Sequence, residues 1–278
     1  MQGGRTGVLM AEPRAYARLL AIETSGPVAS VALSLLGDES AGAGASGSQE
    51  RVFSAQGDGE LRHLSCLLPL VRTVLDAAGS ELSELDALAV SAGPGSFTGI
   101  RIGVSTVRAL CQATGLMPIS VPTLETFVYH VQRQSGGIAV GKGPAPIVCP
   151  VFDARRSQMY AGAYRLSAGI ETLVPGAAHD PGDFLEALKG AACPAPILFC
   201  GDGLPVFKDQ IQDALGGLPF ALHPELGREA ENVLRWARAF GRATDYRRLE
   251  PVYMRKAEAQ RKLDERRAAE RSEAGQEG

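Results

Sequence analysis

The chain has 278 residues, 45% hydrophobic and 21% charged, which is ordinary globular usage and long enough for one large domain or two lobes with cores of their own. Its net charge of −3 gives no global attraction to nucleic acid, so an RNA role has to rest on a local patch or on a partner. No apolar run reaches the roughly 18 residues that a membrane span requires, and the N-terminal residues lack the basic segment followed by a long apolar one that marks a secretory signal.

Residues 1–17 read as a flexible leader. Leu19 to Ile22 and the alternating VASVALSLL of Val28 to Leu36 read as two strands, joined by the tight turn Glu23-Thr24-Ser25-Gly26-Pro27. Residues 37–50 are low in complexity and too small and polar to pack, and Arg51 to Ala55 reads as the third strand of an antiparallel meander. Leu61 to Ala78 carries apolar residues spaced by threes and fours, a helical stripe, with Pro69 inside it where a kink is expected. Leu85 to Ser91 reads as a short buried strand, Gly93-Pro94-Gly95-Ser96 as a turn, Phe97 to Thr114 as a second helix and Met117 to Val121 as the next strand. Gly99 and Gly103 lie four apart on that helix, which lets another backbone come close. Strand, helix and strand after a meander predict an α/β lobe with a mixed sheet, residues 18–121.

A second lobe, residues 122–256, starts near Pro122. It holds a glycine-proline loop (133–146) and two strands, Ile147 to Phe152 and Gln158 to Leu166, joined at Asp153-Ala154-Arg155-Arg156. A helix from Pro181 to Leu188 follows, then a strand from Ile197 to Cys200 that ends in Gly201-Asp202-Gly203. Asn232 to Arg242 is the last helix, with Trp236 and Phe240 on one face. The tail, residues 257–278, continues a charged stretch whose seven basic and six acidic side chains from Arg255 onward balance, as in a solvated segment rather than an RNA-binding arm.

Several signatures nearly form and fail on context. Gly136 through Gly143 imitates a phosphate-binding loop, but Pro-Ala-Pro follows where a helix should begin. Gly42, Gly44 and Gly47 have dinucleotide-loop spacing but lie in the low-complexity segment ahead of a strand. The five cysteines, Cys66, Cys111, Cys149, Cys193 and Cys200, are scattered and mostly in apolar stretches, which suits a reducing cytoplasm. The four histidines are at least 44 residues apart, so no two share a helix face as metal ligands.

Two segments carry more. A strand, a hydroxyl-rich turn and a second strand can aim N–H groups at a phosphate, with Glu23 placed for metal or base duty; the simpler reading is that Thr24 and Ser25 only close a hairpin. At Gly93-Pro94-Gly95-Ser96-Phe97-Thr98-Gly99 a strand runs into a turn and then a helix capped by Ser96 or Thr98, and free N–H groups there favour an anion. The candidate phosphate or nucleotide positions are therefore Thr24, Ser25, Gly93, Pro94, Gly95 and Ser96.

LLAIETSGPVASVAL, HLSCLLPLV and LDALAVSAGPGSFTGIRIGVSTVRALCQATGLMPISVPTLETF closely resemble the bacterial TsaB family, also called YeaZ, with VFDARRSQMYAGAY, CGDG and EPVYMR as second-lobe landmarks. The resemblance spans residues 18–256 and implies an α/β fold of the actin, Hsp70 and sugar-kinase-like (ASKHA) type, two lobes with the second reduced. It implies a cytoplasmic, non-catalytic relative of TsaD, the subunit that places the threonylcarbamoyl group of N6-threonylcarbamoyladenosine (t6A) on adenosine 37 of tRNAs reading ANN codons. Such a chain pairs with TsaD, is joined by the ATPase TsaE, meets tRNA indirectly through the complex, forms a homodimer when alone and uses no cofactor. TsaD-like enzymes hold a metal through a His-Leu-Glu-Gly-His type motif; the matching stretch is Thr123-Leu124-Glu125-Thr126-Phe127, with Thr123 and Phe127 where the histidines stand and His130 three residues late. Neither a metal site nor a catalytic residue is expected.

The resemblance further implies docking through the first two helices, with Leu64, Cys66, Leu67, Leu70, Val71, Ile100, Gly103, Val104 and Val107 as the interface. Cys66, Leu70, Ile100 and Val104 are expected to stay exposed without a partner, so Val104→Glu is expected to break docking. Arg155 and Arg156 order the lobe-to-lobe region, meet an acidic partner or are simply a surface pair. The alternative is a stand-alone nucleotide-binding, phosphotransferase-like protein that uses Glu23 and Thr24.

Overall fold

The N-terminal meander forms as the alternation predicts: in the computed structural model, β1 (Arg18–Glu23), β2 (Ser30–Leu36) and β3 (Glu50–Gln56) pair antiparallel. The structure describes residues 16–37, 50–58, 63–134, 145–166, 169–191, 195–223 and 227–254. The 38–49 and 135–144 segments and the tail from 255 lie outside the described residues, as does most of the stretch read as a leader; its last residue but one, Tyr16, is buried.

β4 (Ala87–Gly93) pairs parallel with β1, and β5 (Met117–Pro122) parallel with β4, giving the sheet order β3-β2-β1-β4-β5. α1 (His63–Ala78) leads into β4 and α2 (Phe97–Thr114) joins β4 to β5. α1 runs on through Pro69, which sits on the exposed side. α2 starts at the N-cap Ser96 and stops at Gly115, whose φ of 78° is cheap only for glycine.

The second half repeats the plan. β6 (Ile147–Asp153), β7 (Met159–Leu166) and β8 (Ile170–His179) form a meander, and β9 (Ile197–Cys200) and β10 (Phe220–His223) add in parallel, in the order β10-β9-β6-β7-β8. α4 (Pro181–Ala191) and α5 (Leu204–Ala214) hold the places of α1 and α2. The half is reduced: β9 and β10 have 4 residues each, and α4 and α5 have 11 against 16 and 18.

The third helix of each half crosses over. α3 (Thr123–Gln134) follows β5 but packs on β6 and β7, while α6 (Ala230–Phe240) follows β10 but covers β1, β2, β4 and β5. The segment 122–256 is therefore not one body in space, because its last helix belongs to the first sheet. This exchange buries the first sheet on both faces. Along β1, Leu20 and Ile22 face α1 and α2 while Leu19 and Ala21 face α6, the period-two alternation of a strand. Two such lobes with crossed third helices are the ASKHA arrangement.

Four elements were not expected: α3, β8, α5 and β10. β8 is an edge strand carrying Pro175 and Gly176, and most of it is half-exposed, so neither face gives a clean alternation. β10 is a short edge of half-buried residues. α5 did carry a signal, since Leu204, Phe207 and Ile211 are spaced by three and four and Pro205 sits in the first turn.

Candidate functional site

The structure brings the two candidate loops into contact. Thr24 and Ser25 are fully buried at the end of β1, and the Ser25 N–H donates to Glu23 Oε1 at 2.5 Å. The Ser96 N–H donates to the Ser25 carbonyl at 2.8 Å, and the Gly99 N–H donates to Ser96 Oγ at 3.2 Å. The close approach that Gly99 and Gly103 permit is thus made by the chain's own first turn. A Cβ on Gly99 would fall on the Thr24 carbonyl oxygen, and one on Gly103 on Thr24 Oγ1. Gly93 and Pro94 are buried, and the Gly93 backbone lies under the Val252 carbonyl; the Val252 N–H donates to the Ala92 carbonyl at 2.7 Å.

This contact takes up two of the N–H groups that a phosphate could have used. The Ser96 and Gly99 N–H groups already have protein acceptors, Pro94 has none to give, and Glu23 is sealed at 0% exposure with one carboxylate oxygen on Ser25. The phosphotransferase alternative meets the same obstacle, since neither Glu23 nor Thr24 reaches solvent.

A residue with no sequence signal fills the cleft between the lobes. Arg228, in the connection from β10 to α6, donates through Nη1 to the Ser25 carbonyl and through Nη2 to both carboxylate oxygens of Asp202, at 2.7 and 2.6 Å. Its guanidinium lies 3.9 Å from the centre of the Phe152 ring, and its side chain is 7% exposed. Asp202 belongs to the Gly-Asp-Gly turn ahead of α5, the counterpart of the Gly-Pro-Gly turn ahead of α2. One side chain thus ties the first lobe's turn to two elements of the second.

Thr123 and Phe127, which the resemblance matches to the histidines of TsaD-like enzymes, lie on the buried side of α3, with the Phe127 ring 5.3 Å from that of Phe152. Among the described residues, no three His, Cys, Asp or Glu side chains come together as a metal site. Between these positions Glu125 accepts a bond from Trp236 Nε1 of α6 at 2.9 Å. Burial raises the Glu125 pKa and the indole bond partly opposes the rise. A carboxyl whose folded pKa is raised stabilises the fold below its ordinary range, and that contribution is lost as pH rises through the folded value. Glu125→Gln keeps the acceptor and removes the buried charge. It is expected to raise Tm by about 1–3 °C at pH 7, with the gain vanishing below about pH 4; a thermal-melt series against pH checks this.

The expected interface is largely the protein's own core. Leu67, Val71, Ile100, Val104 and Val107 are at most 5% exposed, and Gly103 is covered by Thr24. The expectation that Ile100 and Val104 stay exposed is overturned: α1 and α2 spend their one apolar stripe on the sheet. Val104→Glu would bury an unpaired carboxylate and report on folding, not docking. Cys66 and Leu70 are half-buried, and the Leu64 side chain lies outside the described residues. The apolar groups these helices do present are Leu68, 57% exposed, and Phe97, whose ring meets that of Tyr253 at 5.1 Å. Arg101 lies over Phe97 and donates from Nε to Tyr253 Oη at 2.7 Å. Burial pushes the Cys111 thiol up to about 11 and raises the Cys149 thiol strongly, so these two are poor nucleophiles; Cys193 lies outside the described residues. No helix among the described residues is long and apolar enough to cross a membrane.

Residues 58–260 match the family model described as TsaD, tRNA N6-adenosine threonylcarbamoyltransferase. The chain is 31% identical over 196 residues to the tRNA threonylcarbamoyladenosine biosynthesis protein TsaB of Bacillus subtilis, covering 70% of this chain and 80% of that protein. It is 35% identical over 103 residues to the Escherichia coli protein of the same name, 37% of this chain and 41% of that one. Among solved structures, YeaZ from Pseudomonas aeruginosa superimposes with a TM-score of 0.66 at 29% identity, covering 85% of this chain and 99% of that chain.

Proposed function

Since the chain belongs to the TsaB (YeaZ) family, we propose that it is a non-catalytic partner subunit that binds and activates TsaD in t6A formation on tRNA, in the cytoplasm, with TsaE joining the assembly. The observation that carries this reading is a transferase-type fold in which the ligand positions have become core: Thr123 and Phe127 are 0% and 1% exposed. What remains for such a chain is to bind. Docking uses the outer side of α1 and α2, with Leu68 at its centre, Cys66 and Leu70 beside it and Phe97 at the end of α2. Leu67, Val71, Ile100, Gly103, Val104 and Val107 form the rigid layer beneath. Alone, the same face pairs with a second copy.

Leu68→Glu tests this, because an exposed residue can change without harming the fold. Loss of one buried leucine, about 1.5–3 kcal/mol, is expected to weaken co-elution with TsaD roughly ten- to hundredfold while Tm stays put. The wild-type chain should form no t6A alone and should restore activity to TsaD with TsaE. Equal activity without the chain, or unchanged binding by the Leu68 variant, overturns the reading.

A further inference from the structure

Among the described residues, the only non-glycine residues with positive φ are three in succession in the β6–β7 turn: Arg155 at 64°, Arg156 at 55° and Ser157 at 58°. For an L-residue this region costs about 1–2 kcal/mol each, and such strain persists only where the surroundings enforce it. Burial does not offset it here. All three residues are exposed, the Arg155 side chain at 87%. The counterpart turn of the first lobe, Thr24 and Ser25, is fully buried, so the fold itself does not call for a protruding turn at this place.

The turn is held firmly. The Arg155 N–H donates to Asp153 Oδ1 at 2.7 Å, the Gln158 N–H to the Arg155 carbonyl at 3.1 Å, and the Ala154 N–H to the Gln158 carbonyl at 3.0 Å. Below it, Phe152 and Met159 are core residues of paired strands. A rigid base thus carries two adjacent exposed arginines on a costly backbone.

We propose that this turn binds nucleic acid directly, Arg155 and Arg156 gripping backbone phosphates of the tRNA that the proposed complex modifies. Guanidinium is the side-chain head best matched to phosphate, since its donors fork onto two oxygens. Neighbouring residues in a left-handed helical turn project about 100° apart, the mirror image of the ordinary helix. The two heads therefore suit two separate anions rather than one carboxylate, and a phosphodiester chain supplies evenly spaced ones. Asp153, 3.3 Å from Arg155 Nη1, orients that side chain and yields to a phosphate without leaving a buried charge, being itself partly exposed.

The inference rests on the reading of the chain as a t6A subunit, and its test separates the two. The double variant Arg155→Gly, Arg156→Gly, the conservative Arg155→Lys, Arg156→Lys and the wild type are each assayed alone and with TsaD. Readouts are Tm, co-elution with TsaD and tRNA retention on a filter across a salt series. Glycine is at ease at positive φ, so the glycine variant is expected to melt a few degrees higher. It is expected to bind tRNA about tenfold more weakly, with the slope of log affinity against log salt reduced by about 2, one per lost phosphate contact. The lysine variant should keep the slope and lose part of the affinity. A purely structural turn would give the gain in Tm without the loss of tRNA. Unchanged tRNA retention overturns the proposal, and so does a loss confined to TsaD co-elution, which would make the turn a protein contact. Failure of the wild type to bind TsaD sinks the subunit reading instead, and retention by the chain alone still reports on the arginines.

Discussion

Gly99→Ala is expected to destabilise the protein by about 3 kcal/mol and to lower Tm by roughly 6–12 °C, although alanine is the better helix former by about 1 kcal/mol. The sign turns on what a Cβ would meet. At Gly99 it meets the Thr24 carbonyl oxygen, part of a backbone pinned by β1 on one side and by the Ser25–Ser96 bond on the other. Neither partner can rotate away, so α2 must lift from the sheet, opening the contacts of Ile100, Val104 and Val107. Gly103→Ala meets the Thr24 hydroxyl, a side-chain atom. The two substitutions therefore respond differently to Thr24→Ala. That change should restore most of the stability lost by Gly103→Ala and none of that lost by Gly99→Ala. Thermal melts of the three single and two double variants measure the coupling directly. If Gly99→Ala melts at or above the wild type, or if Thr24→Ala relieves both glycine variants alike, the packing of α2 on the first turn is not what these contacts describe.

That contact also shows what the sequence could and could not tell. The residue types at Gly99 and Gly103 announce that some backbone approaches, and the apolar stripe of α2 announces a buried face. Neither says what does the burying. The stripe was read as a partner's surface because a helix pattern is the same whether a sheet or another protein covers it; the sheet, lying one strand away in the chain, takes it first. Elements with a one-sided pattern, such as α2 and β5, were legible to within a residue. β8 and β10 were not, because half-exposed edge strands carry no strong period. The exchange of α3 and α6 between lobes is a matter of topology, which amphipathicity does not encode. Arg228 lies further still from legibility. Its partners Ser25 and Asp202 stand 203 and 26 residues away, so nothing in its neighbourhood marks it.

Arg228→Ala is expected to lower Tm by roughly 6–16 °C and to loosen the two turns it joins. Breaking a buried ion pair costs about 3–5 kcal/mol; because Asp202 is 43% exposed and recovers water, the lower half of that range applies. The lost stacking on Phe152 adds to it, and the Ser25 carbonyl loses a donor. Arg228→Lys should recover little, since an ammonium group cannot stack on the ring while serving both Asp202 and the Ser25 carbonyl. The alanine variant leaves a slot shaped for a guanidinium, with a carboxylate, a carbonyl and a ring face already in place. Methylguanidinium at concentrations on the order of 10 mM, far below denaturing levels, should therefore bind there and raise the variant's Tm by mass action, while leaving the wild type unchanged. Hydrogen exchange locates the effect: the amides of residues 24–26, 93, 95 and 96 should exchange faster in the variant and slow again with the ligand. A lysine variant as stable as the wild type, or an alanine variant that ignores methylguanidinium, would mean that the lobes are held by the crossed helices α3 and α6 alone. The Arg228 side chain would then be a passenger in the cleft.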